Sequence, residues 1–290
     1  MNSFDMPLVV EPEQLEATLG DDSLLVVDLC KPEVYQQYHL PDAIHLDYGQ
    51  IVQPRPPAMG TLPDANRLSA LFSATGLTTD THVVAYDDEG GGRAARLLWT
   101  LEAAGHRHLS PLNGGLHAWA NEKHPLTNEM VDRVASNYSV QPDPKPLATK
   151  EQILERLGAS DLVLIDARSP AEYQGRKVFA NRGGHIPGAV NLEWTDAMDT
   201  QRNLRLKATD SIRDMLEVRG ATPDKEIVVY CQIHHRSAHL YWVLKALGYP
   251  RICAYAGSWS EWGQRPGSSY RITTRPGVQS YHRTFAFLAG

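Results

Sequence analysis

Apolar runs of five residues recur along this chain, and each is followed by a polar turn and then by a segment with helical periodicity. The runs lie at residues 24–28, 82–86, 162–166 and 226–230. Runs this short, bounded by turn residues, are typical of buried strands. After the last run, Leu240, Val243, Leu244 and Leu247 recur at the spacing of one helical face. Strands that alternate with amphipathic helices predict an α/β fold with mostly parallel sheets flanked by helices.

The pattern of the first half repeats in the second half, in the same order. The matched segments are 11–19 with 149–157, 24–28 with 162–166, 39–46 with 185–192, 82–86 with 226–230, and 114–119 with 257–262. The offset grows from 138 (166 minus 28) to 146 (185 minus 39), so the second copy holds eight extra residues within 175–184. Five registers kept in order predict a tandem duplication of one domain, which the length of the chain permits. We call the copies the N-terminal and C-terminal repeats.

Domain boundaries follow from this duplication. We expect the N-terminal repeat at 1–136, a linker at 137–147 and the C-terminal repeat at 148–265. The linker carries three prolines within 141–146, which favour an extended chain over a helix. The repeat ends before the tail at 266–290, which has little apolar periodicity until residue 285 and is expected to be poorly ordered.

Composition narrows the class of protein. The apolar and charged fractions, 42% and 21%, are typical of a soluble globular chain. A net charge of −6 implies no nucleic-acid or acidic-membrane partner, and no apolar run is long enough to span a bilayer. The first seven residues do not resemble a signal peptide. Three cysteines, an odd number, argue against a disulfide framework, so a cytoplasmic location is expected.

The most informative segment is the turn at 231–236, with the sequence Cys-Gln-Ile-His-His-Arg, between the apolar run and the helix. A turn of this kind directs backbone N–H groups and the positive end of a helix at the first side chain. Both effects favour the thiolate of Cys231, which is the nucleophilic form. Cys30 and Cys253 lie in apolar surroundings and are expected to be structural. We therefore predict that Cys231 holds an anionic group and passes it on.

The N-terminal repeat provides an internal comparison. Counting back from Trp99 and Trp242, which match in the two repeats, places Asp88 opposite Cys231. An aspartate cannot carry covalent sulfur, and its acidic neighbours Asp87 and Glu89 would repel an anion. This repeat is thus predicted to be catalytically inactive and to form one wall of the cleft.

Several other side chains are candidates for substrate binding. Arg236 can hold two oxygens of an anion, and Gln232 and Ile233 belong to the same turn. His234 and His235 are expected to line the mouth of the pocket and to add partial positive charge near neutral pH. Two further candidates for the cleft wall lie near the eight extra residues: Trp194 and Arg182.

Two other expectations concern metal binding and the loop after the strand at 162–166. A structural zinc site needs four ligands, usually as paired Cys/His clusters, and the sequence offers no second cluster, so no metal is expected. Arg168 is expected to pair with Glu172 and to fix that loop.

Together these segments resemble the two-domain rhodaneses, thiosulfate sulfurtransferases of the Azotobacter and Pseudomonas type. The resemblance rests on residues 184–192, the turn at 231–236 and residues 256–262, and it runs from the first helix to Trp262. It implies that Cys231 takes sulfur from thiosulfate as a persulfide, without a cofactor. It also implies that cyanide, a thiol, a dithiol or a protein removes the sulfur. The turn departs from the animal enzymes, because Ile233 replaces a basic residue and Pro187 replaces an arginine.

Two alternatives remain open at this point. A phosphatase of the related Cdc25-like design would place five residues between cysteine and arginine, whereas four separate Cys231 from Arg236. A sulfur-storage module would take up one sulfur and hand it to a dedicated partner protein with negligible turnover on small acceptors.

Overall fold

The computed structural model describes residues 6–264 and contains two α/β repeats. The expected tail at 266–290 lies outside the described residues. The strands and helices of the N-terminal repeat are α1 (Pro12–Glu16), β1 (Leu24–Asp28), α2 (Pro32–Gln37), β2 (Ala43–His45), α3 (Ala65–Ala74), β3 (His82–Tyr86), α4 (Gly92–Ala103), β4 (Leu109–Pro111) and α5 (Gly115–Asn121), with a 3-10 helix at Tyr48–Ile51.

The C-terminal repeat follows the same plan with additional short elements. Its strands and helices are α6 (Lys150–Glu155), β5 (Leu162–Asp166), α7 (Pro170–Tyr173), β6 (Val190–Asn191), β7 (Met198–Asp199), β8 (Arg205–Leu206), α8 (Thr209–Glu217), β9 (Glu226–Tyr230), α9 (Arg236–Ala246), β10 (Ile252–Ala254) and α10 (Ser258–Trp262), with 3-10 helices at Trp194–Ala197 and Thr200–Arg202. Helix α6 begins with a capping box between Thr149 and Gln152.

Each repeat contains one four-stranded parallel sheet, which confirms the expected fold class. The strand orders are β2-β1-β3-β4 and β10-β9-β5-β6. The four apolar runs are the central strands β1, β3, β5 and β9, and both faces of these strands are covered, which explains why the runs do not alternate with polar residues. The carboxyl ends of central parallel strands are where α/β folds place their ligand sites. Cys231 directly follows β9.

The two repeats share a hydrophobic core. One continuous cluster of buried residues includes side chains from β1, β3 and α4 together with side chains from β5, β9 and α9. Helices α4 and α9 pack against each other where the repeats meet. Trp99 of α4 is fully buried, and its indole N–H donates to the carbonyl oxygen of Pro146 in the linker at 3.1 Å. Residues 137–147, the segment expected to be a linker, contain no helix or strand, and Pro146 of this segment contacts the core.

No helix in the part of the chain that the structure describes has both the length and the apolar character needed to cross a bilayer.

Because Trp99 lies where the repeats meet, Trp99→Ala should lower the free energy of unfolding by about 3–5 kcal/mol, through lost burial and the cavity left behind. Denaturant unfolding followed by fluorescence and circular dichroism measures this loss. Val134→Ala, at a side chain that is 91% exposed, is the control and should change stability by about 0.5 kcal/mol or less. A loss for Trp99→Ala no larger than the control would contradict a shared core.

Candidate active site

The turn after β9 encloses the sulfur of Cys231. The residue is fully buried, and the backbone N–H of His235 donates to its Sγ at 3.3 Å. The carbonyl oxygen of Cys231 accepts from the N–H of Trp259 at 2.9 Å. The backbone N–H of Cys231 donates to the Ser258 hydroxyl at 3.3 Å. Helix α9 starts five residues after Cys231, so its positive end lies beside the sulfur.

The pKa of the Cys231 thiol is lowered. Burial by itself raises that pKa, because it disfavours the charged form. The positive charge of Arg236, the hydroxyl of Ser237 and the backbone N–H groups of Ser237 and Ile233 favour the thiolate, and together they outweigh burial. The turn therefore stabilises the nucleophilic form of the sulfur inside the protein.

Arg236 is held by a carboxylate. Its Nη1 and Nη2 donate to Oε2 and Oε1 of Glu172 at 2.7 and 2.8 Å. Glu172 also accepts from the Ser169 hydroxyl at 2.8 Å, at the start of α7. Although burial opposes ionisation, the bonds from Arg236 and Ser169 lower the pKa of Glu172 to about 2. Both terminal nitrogens of the guanidinium thus bind the Glu172 carboxylate. The positive charge of Arg236 still acts on Cys231.

The expected pairing of Arg168 with Glu172 is wrong. The guanidinium of Arg168 instead binds Asp166 at the end of β5, with Nη2 to Oδ2 at 2.6 Å and Nε to Oδ1 at 2.9 Å. Spacing along the sequence did not distinguish between the two carboxylates. The strand end brings Asp166 next to Arg168, which leaves Glu172 free for Arg236.

The structure also contradicts the expected place of His234. Its side chain is fully buried rather than at the mouth of the pocket, its Nδ1 lies 2.8 Å from the Ser237 hydroxyl, and its ring meets the Trp99 ring edge-on at 4.1 Å. Burial, with the nearby charge of Arg96, lowers the pKa of His234 well below its ordinary value. The ring is therefore neutral near pH 7 and adds no positive charge to the pocket.

His235 stays near the surface of the site, in contact with the other repeat. Its Nε2 contacts the carboxylate of Glu89, and its ring packs near Tyr48 at 5.7 Å and Trp194 at 5.8 Å. Burial opposes ionisation of Glu89, but the contact with His235 and then Arg93 lowers its pKa. The structure thus brings Trp194, an expected wall residue, against the turn.

Gln232 and Ile233 face a groove that both repeats line. Its lining includes Met59 of the N-terminal repeat and Phe179 of the eight extra residues, whose side chain is 57% exposed. The amide Nε2 of Gln232 donates to the Phe179 carbonyl oxygen at 3.3 Å, while its buried Oε1 has no protein partner. The groove is an apolar approach to the turn.

Arg182 lies away from this turn. Its Nη2 donates to the carbonyl oxygen of Trp262 at 3.0 Å, and its own carbonyl accepts from the Trp259 indole at 3.1 Å. The side chain lines a separate pocket with Tyr173 and His185. Its expected role in substrate binding stays a prediction that this geometry does not favour.

Comparison with known proteins assigns the family. A model of the "Rhodanese-like domain" family matches residues 11–122 and again residues 149–265, more than half of the chain. The chain belongs to the rhodanese-like family.

Named relatives of this rhodanese-like chain align over nearly its whole length. A thiosulfate sulfurtransferase of Azotobacter vinelandii is 48% identical over 94% of the chain and 100% of the relative. A thiosulfate sulfurtransferase of Pseudomonas aeruginosa is 46% identical over 92% of the chain and 98% of the relative. The crystal structure of Escherichia coli SseA, described as a 3-mercaptopyruvate sulfotransferase, matches with a TM-score of 0.77 at 25% identity, over 88% of this chain and 99% of SseA.

Asp87, rather than Asp88, occupies the cysteine position in the N-terminal rhodanese-like repeat. Its carbonyl accepts from the N–H of Leu116 at 2.9 Å, as Cys231 accepts from Trp259. The Asp87 carboxylate accepts four backbone N–H bonds of 2.8–3.0 Å, the donors being Glu89, Gly91, Arg93 and Ala94. The expectation of Asp88 was wrong because this turn is one residue longer than its counterpart. The cradle is already filled by an anion of the protein.

Three contributors to the rhodanese-like site were missed by the sequence reasoning: Glu89, Glu172 and Arg96. Glu89 and Glu172 were considered only in other roles, because the residue that each one contacts is more than sixty positions away in the chain. Arg96 did give one, because it is a charged residue inside the apolar stretch 94–99 of α4.

The Arg236–Glu172 pair predicts a loss of stability in acid. Because the pKa of Glu172 is depressed to about 2, the pair stabilises the fold fully above about pH 4.5, and this contribution of about 3 kcal/mol disappears as the pH falls towards 2. Glu172→Gln should remove that dependence, measured by denaturant unfolding at several pH values. Glu33→Gln, at an exposed carboxylate, is the control. Parallel curves for wild type and Glu172→Gln would refute the assignment.

The three cysteines should titrate in a fixed order. Burial raises the pKa of Cys253 to about 11 and that of Cys30 further, whereas the pKa of Cys231 is below its ordinary value. The thiolate absorbance that appears at lowest pH should therefore vanish in Cys231→Ala. It should persist in Cys30→Ala and Cys253→Ala. Loss of that component in either control instead would reverse the order.

Proposed function

We propose that the protein is a thiosulfate sulfurtransferase in which Cys231 carries the transferred sulfur as a persulfide. The observation that carries this proposal is the thiolate-stabilising turn around Cys231, in a chain about half identical to two thiosulfate sulfurtransferases. A nucleophile with a lowered pKa at a helix N-terminus is the usual arrangement for covalent catalysis by cysteine.

In the first step the Cys231 thiolate attacks the outer sulfur of thiosulfate. A bond forms between Sγ and that sulfur, the sulfur–sulfur bond of thiosulfate breaks, and its electron pair leaves with sulfite. In the second step the carbon of cyanide, or the sulfur of a thiol, attacks the outer persulfide sulfur. The electron pair of the broken bond returns to Sγ and regenerates the thiolate, so no cofactor or external oxidant is needed.

The turn supports each stage of this cycle. Thiolate and persulfide are both anions, and the N–H of His235 already donates to the sulfur. Fixed donors of this kind stabilise charge without reorganisation during the reaction. Since Glu172 occupies both arms of Arg236, we assign Arg236 to stabilising the anionic sulfur more than to gripping the donor.

Approach to the sulfur involves the side chains at the edge of the site. Cys231 is fully buried, so a donor reaches it only when a covering side chain moves. The proposed contacts for the donor are Gln232, Ile233 and His235 of the turn, together with Trp194, which packs against His235. The N-terminal repeat, proposed at 1–136 with the linker at 137–147, is non-catalytic because Asp87 fills its cradle.

The acceptor and the compartment are also part of this proposal. A small thiophile such as cyanide or a thiol is proposed to approach along the apolar groove at Gln232 and Ile233, and a dithiol or protein thiol is the proposed cellular acceptor. All three cysteines are free in the described residues, which supports a reducing, cytoplasmic environment. No nucleic-acid or membrane partner is proposed.

Intact-mass analysis tests this function. Incubation with thiosulfate should add the mass of one sulfur atom, and cyanide should then remove it with formation of thiocyanate. Steady-state rates should follow ping-pong kinetics. Cys231→Ala should gain no mass, whereas Cys30→Ala and Cys253→Ala should behave as wild type.

Three outcomes would replace the proposal. Mass gain from mercaptopyruvate but not from thiosulfate would change the donor. Stable mass gain with negligible discharge to cyanide or thiols would favour a sulfur-storage module. Phosphatase turnover without thiosulfate turnover would favour the phosphate chemistry that the four-residue spacing and the Arg236–Glu172 pair argue against.

A further inference from the structure

The sulfur site is in contact with an arginine of the other repeat. Arg96 lies on α4, is fully buried, and donates to carbonyl oxygens on both sides of the interface. Its Nη1 binds the carbonyl of Gly60 at 2.8 Å and that of His234, inside the catalytic turn, at 3.1 Å. Its Nη2 binds the carbonyls of Ile51 at 3.3 Å and Thr61 at 3.4 Å. One guanidinium thus ties two segments of the N-terminal repeat, at residue 51 and at residues 60–61, to the turn.

The residue that Arg96 holds is the sharp corner of that turn. His234 has a φ of +55°, in the left-handed region that a non-glycine residue rarely adopts. Its ring rests against Trp99, over which the Arg96 guanidinium also lies at 5.0 Å. The corner decides where the following N–H of His235 points, and that N–H donates to Cys231. The hydrogen bond from Arg96 to the His234 carbonyl therefore helps to fix the direction of the His235 N–H group.

Gly60 makes this contact possible. A Cβ at this position would collide with the carbonyl oxygen of Ile233 and would lie 2.6 Å from that of Ala256. The backbone of the N-terminal repeat therefore lies directly against the catalytic turn, and Arg96 bridges the two chain segments.

The charge of Arg96 has no carboxylate partner among the described residues: its hydrogen bonds all go to carbonyl oxygens, and none of the ion pairs includes it. The ionisable groups that act on it are Tyr48 and Cys231. A buried cation without a counter-ion is costly, so it favours ionisation of a nearby acid. The other charged groups near Cys231 are Arg236 of α9, paired with Glu172, and, at the edge, Glu89, which contacts the His235 ring and Arg93.

The duplication supplies an internal comparison for this residue. The spacing that matches Trp99 with Trp242 matches Arg96 with His239 on α9. His239 lies against Gly91 in the N-terminal turn, and burial lowers its pKa to about 4, so it is neutral near pH 7. Each central helix thus supports the turn of the opposite repeat, but only the turn with the cysteine receives a permanent positive charge.

We propose that Arg96 is a positioning residue for sulfur transfer: it fixes the His234 corner from the N-terminal repeat and supplies an unpaired positive charge that favours anionic sulfur on Cys231. The part of this inference that concerns catalysis rests on the proposed function. It gives the non-catalytic repeat a defined part in the reaction.

Arg96→Gln tests the charge. The thiolate absorbance of Cys231, taken as the difference between each enzyme and its Cys231→Ala counterpart, is followed against pH without any sulfur donor. The thiolate fraction on the acid side should fall about tenfold relative to wild type, a pKa rise of about one unit. A profile that coincides with wild type would overturn the electrostatic part of the proposal.

Arg96→Lys tests the positioning and covers the case in which Arg96→Gln does not fold. Lysine keeps the charge but cannot donate to four carbonyls in the planar geometry of a guanidinium. The thiolate profile should therefore stay near wild type, while kcat for thiosulfate turnover falls about tenfold. Wild-type turnover in Arg96→Lys would refute the positioning role.

His239→Gln is the matched control, because it changes a buried side chain at the equivalent position of the same interface. It should leave the thiolate profile unchanged. A shift as large as that of Arg96→Gln would mean that any disturbance of the interface changes the pKa of Cys231, and would overturn the specific role of Arg96. The absorbance readout requires no sulfur transfer. A shifted profile in a protein that does not turn over thiosulfate would thus refute the proposed function while leaving the charge effect standing.

Discussion

The chemistry proposed for the site depends on stabilising one negative charge on the buried sulfur atom of Cys231. Burial alone disfavours that charge, so the fold has to supply compensation from several directions. Backbone N–H groups of the turn provide part of it, the start of α9 provides a dipole, and Arg236 provides a full charge. Each source comes from a different level of structure, so the site exists only when the sheet, the turn and the helix are all in place.

The equivalent turns of the two repeats hold side chains with different chemistry. In the C-terminal repeat a backbone donor contacts the sulfur of Cys231, the proposed nucleophile, whereas in the N-terminal repeat four backbone donors surround the Asp87 carboxylate. The fold therefore specifies an anion at this point, and the side chain at one position decides whether that anion is reactive. The N-terminal repeat contacts the site of the C-terminal repeat, since its residues Met59, Glu89 and Trp99 all reach the turn at 231–236 or its groove.

The sequence was sufficient for the central strands and for a cysteine in the turn that follows β9. The four central strands agree with the apolar runs to the residue, because a strand that is covered on both faces leaves a continuous hydrophobic signal. Cys231 was identifiable because the turn chemistry is local. The comparison of the repeats failed by one position at Asp87, since an inserted residue in a turn leaves no trace in the strand or helix patterns on either side.

Partners distant in the chain were beyond the sequence reasoning. Arg168 had two carboxylates within reach along the chain, and only the strand geometry selects Asp166. The burial of His234 results from α4 of the other repeat, which the sequence could not orient. Local rules thus singled out Cys231 as the candidate nucleophile, whereas the groups that lower its pKa depend on three-dimensional packing.

The contact at Gly60 limits how the enzyme opens. The carbonyl oxygens of Ile233, in the turn, and of Ala256 lie where any side chain at that position would be, so separating the two halves by a hinge motion would break the dense backbone packing there. Admission of small molecules is therefore expected to use rotamer changes of individual side chains, on a picosecond-to-nanosecond scale, rather than the slower collective motions of domains. Entry of the sulfur donor would then depend on side-chain motion at the edge of the site and not on the closure of a lid.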